Sequence, residues 1–232
     1  MRNFETLEID KYIVESSGIK NPKTLFIPTA SGDALAYVDI FNKVYGEKLE
    51  CKTDSLLLLS HNLEDSEIKN KILSSDLIYV GGGNTEEMMR VWKEKNVDKY
   101  LRSAFENNTV LSGLSAGSIC WFKYGHSDSN SFESNDDNWK FSKVEGFSFI
   151  NAIHCPHYNE YGRERFDKMM LSSSEVGIAL ENNTAIVFKD DKYKIIKSDK
   201  NANAYKLSNL GNGVISKDIL DNKEFKDVSK LL

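Results

Sequence analysis

The chain is short of cysteine, of proline and of long apolar runs, and each shortage removes a class of protein. Its three cysteines, Cys51, Cys120 and Cys155, are odd in number and lack C-x-x-C spacing. Neither a disulfide framework nor a zinc knuckle is indicated, and reduced thiols are expected. With three prolines in 232 residues, no Pro/Gly/Ser-rich linker divides the chain, and a single domain over 1–232 is expected. No apolar stretch approaches the roughly 20 residues of a membrane span, and the polar opening Met1-Arg2-Asn3-Phe4-Glu5 has no signal-peptide apolar region. A cytoplasmic protein with no membrane partner is expected. Basic residues are not in excess either: the formal charge is -5, with Lys and Arg interleaved among Asp and Glu, so there is no electrostatic footprint for nucleic acid.

What remains is an ordinary globular composition, 40% hydrophobic and 28% charged, which sets disorder aside. A chain of this size buries roughly 70% of the surface its unfolded form exposes, enough for a core without disulfides or metal. Apolar residues at three- and four-residue spacing predict a first helix over 4–17. Strand and helix signals then alternate. Strands are expected at 24–27, 56–59, 77–80 and 109–112. Helices are expected from Tyr37 to a stop at Gly46, then over 64–73, 86–95 and 98–107. That alternation means a mostly parallel sheet with helices on both faces. Further on, 185–188 and 193–196 flank Asp190-Asp191 and read as a β-hairpin appended to that sheet. The Asn- and Ser-rich stretch 127–138 reads as a long loop, and its length makes a functional role worth considering.

The strongest chemical signal is Gly113-Leu114-Ser115-Ala116-Gly117. It is a G-x-S-x-G between an apolar strand and an expected apolar helix over 119–122. In a nucleophile elbow the small flanking residues let the backbone turn sharply, the serine hydroxyl projects, and the next residue's N–H, here Ala116, faces the reacting carbonyl. The alternative is a serine that merely caps the following helix. A nucleophilic serine needs a base, and there are four histidines. His61 and His126 lie in polar stretches and read as solvated surface residues. His154 reads as a packed strand residue. His157 falls just past the end of a strand broken at Pro156, where active sites of open α/β sheets lie. Glu181, at the end of the apolar run 176–180, could orient the imidazole, or it could simply open the turn Glu181-Asn182-Asn183. Asp128 is the rival orienter, and the residues alone leave the choice open. Gly81-Gly82-Gly83-Asn84 matches neither dinucleotide nor P-loop spacing, so an oxyanion-binding turn is preferred, with Gly83 N–H as second donor. Cys120 reads as a buried, inert thiol.

Val80-Gly81-Gly82-Gly83-Asn84-Thr85, Gly113-Leu114-Ser115-Ala116-Gly117, Pro156-His157-Tyr158 and Leu180-Glu181, in that order, resemble peptidase E and the related cyanophycinases. The resemblance runs from Thr24 to about Phe188. It implies a fold similar to class I glutamine amidotransferase domains, with Ser where those carry Cys. It also implies Ser115 as nucleophile, His157 as base, Glu181 as orienter, and Gly83 and Ala116 as oxyanion donors, with no metal or organic cofactor. The implied reaction is hydrolysis of a small peptide substrate, as by a dipeptidase preferring N-terminal Asp. An arginine downstream of the histidine, Arg163 or Arg165, would then hold the substrate carboxylate. Cyanophycinase-like cleavage of β-aspartyl-arginine and a non-catalytic amidotransferase-like binding domain are the competing expectations, and a homodimer is an open one. Members of the family open with an apolar strand before the first helix. This chain begins directly in that helix, so a central N-terminal strand is expected to be missing.

Overall fold

Short apolar runs separated by helical periodicity call for strand–helix alternation, and the first half of the chain follows that rule. The structure, a computed structural model, describes residues 3–132 and 140–232. Its contacts fall into two compact units, Met1–Ser118 and Ile119–Leu232.

In the first unit α1 (Leu7–Ser16) leads into β1 (Lys23–Ile27). Next come α2 (Leu35–Phe41), continued by a π-helical segment over Asn42–Lys48, and β2 (Lys52–Ser55). Then follow α3 (Asp65–Leu73), β3 (Leu77–Val80), α4 (Thr85–Glu94), α5 (Val97–Glu106), β4 (Val110–Gly113) and the short α6 (Ala116–Ile119). The four strands form one parallel sheet in the order β2-β1-β3-β4. The inner strands β1 and β3 are buried almost end to end, as a parallel sheet flanked by helices requires. Phe26 of β1 stacks on Phe41 of α2 at 4.5 Å between ring centroids, and Phe41 stacks on Tyr45 at the same distance. All three rings are fully buried, so truncating either Phe should cost roughly 3–5 kcal/mol.

Two expectations shift here. The apolar run 56–59 follows its strand instead of forming it. β2 is built from Lys52-Thr53-Asp54-Ser55 because it lies at the sheet edge, where one solvated side accepts polar residues, while Leu56 and Leu58 plug the core beyond its end. Gly46 does not close its helix, since the π segment runs through it to Lys48.

The second unit contains β5 (Phe122–Ser127), β6 (Ser142–Glu145), β7 (Ile150–Cys155), α7 (Arg165–Met170) and β8 (Val176–Leu180). It continues with β9 (Thr184–Lys189), β10 (Lys192–Lys197), β11 (Ala204–Gly211), β12 (Val214–Leu220) and β13 (Lys226–Asp227). A six-stranded sheet has the order β12-β11-β8-β7-β5-β6. Its centre, β5-β7-β8, is parallel, and β6, β11 and β12 add antiparallel margins. Ile153, Cys155, Phe166, Met170, Ala179 and Leu207 form its core. The expected β9-β10 hairpin is present, but it pairs with β13 in a three-stranded sheet of its own. The expected apolar helix at 119–122 divides: α6 ends at Ile119, and Phe122 already begins β5. The expected loop at 127–138 starts with the end of β5 and a 3-10 turn over Ser129–Phe132, and its remainder, 133–138, lies outside the described residues.

Candidate active site

Ser115 sits between the last residue of β4 and the first of α6, with φ at 56°. A non-glycine residue in the left-handed region costs roughly 1–2 kcal/mol, and such strain persists only where the surroundings impose it. Here the two flanking glycines do so. A Cβ on Gly113 would lie 2.1 Å from the Gly117 carbonyl oxygen, and one on Gly117 would lie 2.2 Å from that of Val80. Only glycine allows β4 to double back so tightly. The turn is closed by the Gly117 N–H donating to Leu114 O at 2.9 Å and the Ser118 N–H donating to Ser115 O at 2.9 Å, while Leu114 N–H donates to Val80 O at 3.1 Å. The Ser118 hydroxyl also donates to Ser115 O, at 2.7 Å, so the serine's carbonyl is saturated within the turn. The strand-turn-helix geometry is that of the elbow expected from the G-x-S-x-G spacing.

The triple glycine lies beside the elbow in the same unit. A Cβ on Gly82 would come within 3.0 Å of Ser115 Cβ, which brings the loop after β3 against the serine. Gly83, at φ 140°, packs its Cα on the Ala30 carbonyl, and a side chain there would meet that oxygen at 2.0 Å. The next residue, Asn84, caps α4 by accepting from Glu87 N–H at 3.2 Å.

In the second unit His157 follows β7 and also holds φ at 56°. Its turn is tied down by Tyr158 N–H donating to Leu180 O at 2.9 Å and Glu160 N–H donating to His157 O at 2.8 Å. The polar neighbours of its Nδ1 are Asn182 Oδ1 at 2.5 Å and Glu160 Oε1 at 3.6 Å. Glu181 is turned to other partners. Its carboxylate accepts from Asn203 N–H at 2.7 Å and Tyr205 OH at 3.0 Å. Asp128 is held by Arg163, whose Nη2 donates to Asp128 Oδ2 at 3.1 Å and whose Nη1 donates to the His126 carbonyl at 2.9 Å. That guanidinium is buried and lies 4.8 Å from the Phe141 ring centre. Arg165, the first residue of α7, is exposed.

His154 is, as expected, a packed strand residue: its Nδ1 lies 3.0 Å from Ile178 O and its ring stacks on Phe122 at 4.5 Å. Burial pushes its pKa down to about 4. His126 departs from the expectation of a solvated residue. It lies on β5, is buried, and stacks on Phe141 at 4.2 Å. Burial, then the positive charges of Arg163 and Arg165, push its pKa down to about 3. His61 is exposed. The Cys51, Cys120 and Cys155 thiols are all buried, and burial pushes each of them up, away from the thiolate. Among the described residues no group of three His, Cys, Asp or Glu side chains is disposed to hold a metal ion, and no helix is long and apolar enough to cross a membrane.

Asn182 and Glu160 are the neighbours of His157 that sequence reasoning passes over. Asn182-Asn183 looks like turn chemistry, and Glu160 is one acid among many. The signal that could have found Asn182 was its place two residues beyond the strand end at Leu180.

An α/β fold of this kind hosts several enzyme classes, and the comparison with known proteins narrows them to the peptidases. The chain belongs to peptidase family S51, whose family model matches residues 1–196. It is 32% identical to the peptidase YgaJ of Bacillus subtilis strain 168 over 88% of this chain and 85% of that protein. Among solved structures it resembles a peptidase from an acI-B1 Actinobacterium with a TM-score of 0.66 at 19% identity, covering 95% of this chain and 90% of that one. A candidate peptidase E protein from Listeria monocytogenes EGD-e superimposes with a TM-score of 0.64 at 20% identity, covering 83% and 93%. The chain is therefore a serine-type peptidase.

Proposed function

We propose that this peptidase hydrolyses short peptides in the cytoplasm through an acyl-enzyme on Ser115. His157 takes the hydroxyl proton as Ser115 Oγ attacks the scissile carbonyl, and returns it to the leaving amine. The N–H groups of Gly83 and Ala116 serve as donors to the oxyanion. Water then attacks the ester, with His157 again as base, and releases the acyl group.

The observation that carries this reading is the strained Ser115 backbone, at φ 56° and held there by two glycines that packing alone dictates. A serine that merely capped a helix would take an extended backbone instead. Preference for N-terminal Asp is the finer part of the proposal. Arg163 is sequestered by Asp128 and the His126 carbonyl, which leaves exposed Arg165 as the guanidinium available to a substrate carboxylate. Replacing Ser115 by Ala should lower turnover of a dipeptide panel by roughly 10⁴- to 10⁶-fold and abolish covalent labelling by a fluorophosphonate probe, with the fold intact. Unchanged turnover in that variant would sink the assignment. Arg165→Met should erase any preference for Asp-X over Ala-X dipeptides.

A further inference from the structure

The turn that carries His157 and the turn after β8 together build a hydrogen-bonded chain of three side chains. His157 Nδ1 lies 2.5 Å from Asn182 Oδ1. Asn182 Nδ2 donates to Glu160 Oε1 at 3.0 Å, and the backbone N–H of Asn182 donates to Asn159 Oδ1 at 2.9 Å. The direction of the amide is fixed by chemistry. Its nitrogen can only donate and a carboxylate can only accept, so the end facing Glu160 must be the NH₂ group and the end facing the imidazole must be the oxygen. An oxygen there accepts only from a protonated Nδ1, which leaves the lone pair on Nε2, the tautomer a general base requires. By contrast the Glu181 carboxylate is occupied by Asn203 N–H, Asn203 Nδ2 at 3.3 Å and the Tyr205 hydroxyl.

We infer that Asn182, braced by Glu160, is the positioning residue of His157, so that the base is oriented by an amide and not by the carboxylate of Glu181. The inference rests on His157 being the base in the reading above. When Ser115 Oγ bonds to the substrate carbon, its proton goes to Nε2, and the Nδ1 proton stays on the ring, donated to Asn182 Oδ1. The amide carries no charge to balance the imidazolium. Glu160, with its carboxylate 3.6 Å from Nδ1 and bonded to the Asn182 amide nitrogen, supplies the countercharge beside the ring. Glu181 is left to clamp the start of the turn to Asn203 and Tyr205, which keeps Asn182 at the ring.

The test uses the full chain, with kcat and KM measured on the best substrate of a dipeptide panel and the rate of fluorophosphonate labelling measured alongside. Asn182→Ala should lower kcat and the labelling rate by roughly 10²- to 10⁴-fold, the range seen when a triad's orienting member is replaced, with KM changed less than about threefold. Asn182→Asp, which restores an acceptor in the same place, should recover both rates to within roughly tenfold of the parent. Glu160→Gln, which keeps an acceptor but removes the charge, should lower kcat by roughly tenfold. Near-parental rates in Asn182→Ala, or loss of kcat in Glu181→Gln alongside an active Asn182→Ala, would overturn the inference. So would an Asn182→Asp variant as slow as Asn182→Ala. His157→Ala separates this from the reading beneath it: if that variant is labelled at the parental rate, the base assignment itself is wrong.

Discussion

Acidification offers a quantitative probe of the second unit, because two of its imidazoles are buried neutral. His126 and His154 have an ordinary value of 6.5 and are pushed to about 3 and about 4 in the folded chain. Folding lowers both values, so their contribution is fully favourable above pH 6.5 and is lost as pH falls toward about 4, where the unfolded chain binds protons that the folded chain refuses. At about pH 5 the medium lies about one and a half pH units below the ordinary value. At about 1.4 kcal/mol per pH unit, each ring then costs about 2 kcal/mol of stability, and the pair about 4. For a protein of this size that corresponds to a fall in melting temperature of roughly 8–16 °C between about pH 7.5 and about pH 5. The assay is differential scanning calorimetry across that range for the parent, His126→Phe and His154→Phe. Carboxylate titrations are common to all three and cancel in the comparison. Each variant, whatever its stability at neutral pH, should lose about half of the histidine-dependent fall. If both kept the full parental pH dependence, the two rings would not be the groups excluded from protonation and the reasoning would be wrong.

Three other outcomes follow from packing and charge. Gly117→Ala drives a methyl to 2.2 Å from the Val80 carbonyl oxygen, and because backbone cannot yield as a flexible side chain can, it should destabilise by roughly 3 kcal/mol or more, read by urea denaturation. Arg163→Met removes the partner of Asp128 and the donor to His126 O. It should cost roughly 3 kcal/mol, and the double variant with Asp128→Asn should cost less than the sum of the two singles, as a double-mutant cycle would show. Lys71→Met breaks an ion pair with Asp54 whose carboxylate end is well exposed, so its effect on the melting temperature should stay within that of about 1 kcal/mol.

The parallel half of the fold was legible because buried strands write themselves as apolar tetrapeptides: the runs at 77–80 and 176–180 coincide with β3 and β8. Edge strands do not, since one side is solvated, and so the polar β2 was displaced onto Leu56–Leu59. The β11-β12 hairpin was missed for a different reason. Both strands are largely half-exposed or exposed, and their one sharp signal was the turn Gly211-Asn212-Gly213, whose Asn-Gly pair marks a hairpin. At the candidate site the elbow was readable from glycine spacing, because the constraint on Gly113 and Gly117 is local. The fate of Asp128, Arg163 and His126 was not. Their pairing is decided by β5 and the chain before α7 meeting in space, and sequence spacing carries none of that. Glu181 and Asn182 are adjacent in sequence, so period alone could not say which of the two faces His157.

The left-handed backbone at Ser115 and His157 bears on how this chain would change if peptide hydrolysis ceased to matter. Glycine or asparagine adopts that backbone more readily than serine or histidine, so under the function proposed above a lineage released from its chemistry gains stability by replacing those two residues. Gly113 and Gly117 have no such freedom, since neighbouring carbonyls leave no room for a side chain whether or not the protein turns over substrate. An inactive descendant would therefore keep both elbow glycines around a position that had lost its serine. Phe4, Glu50 and Ser148 hold the same left-handed backbone, so it is the glycine pair, more than the φ angle, that marks the position of Ser115.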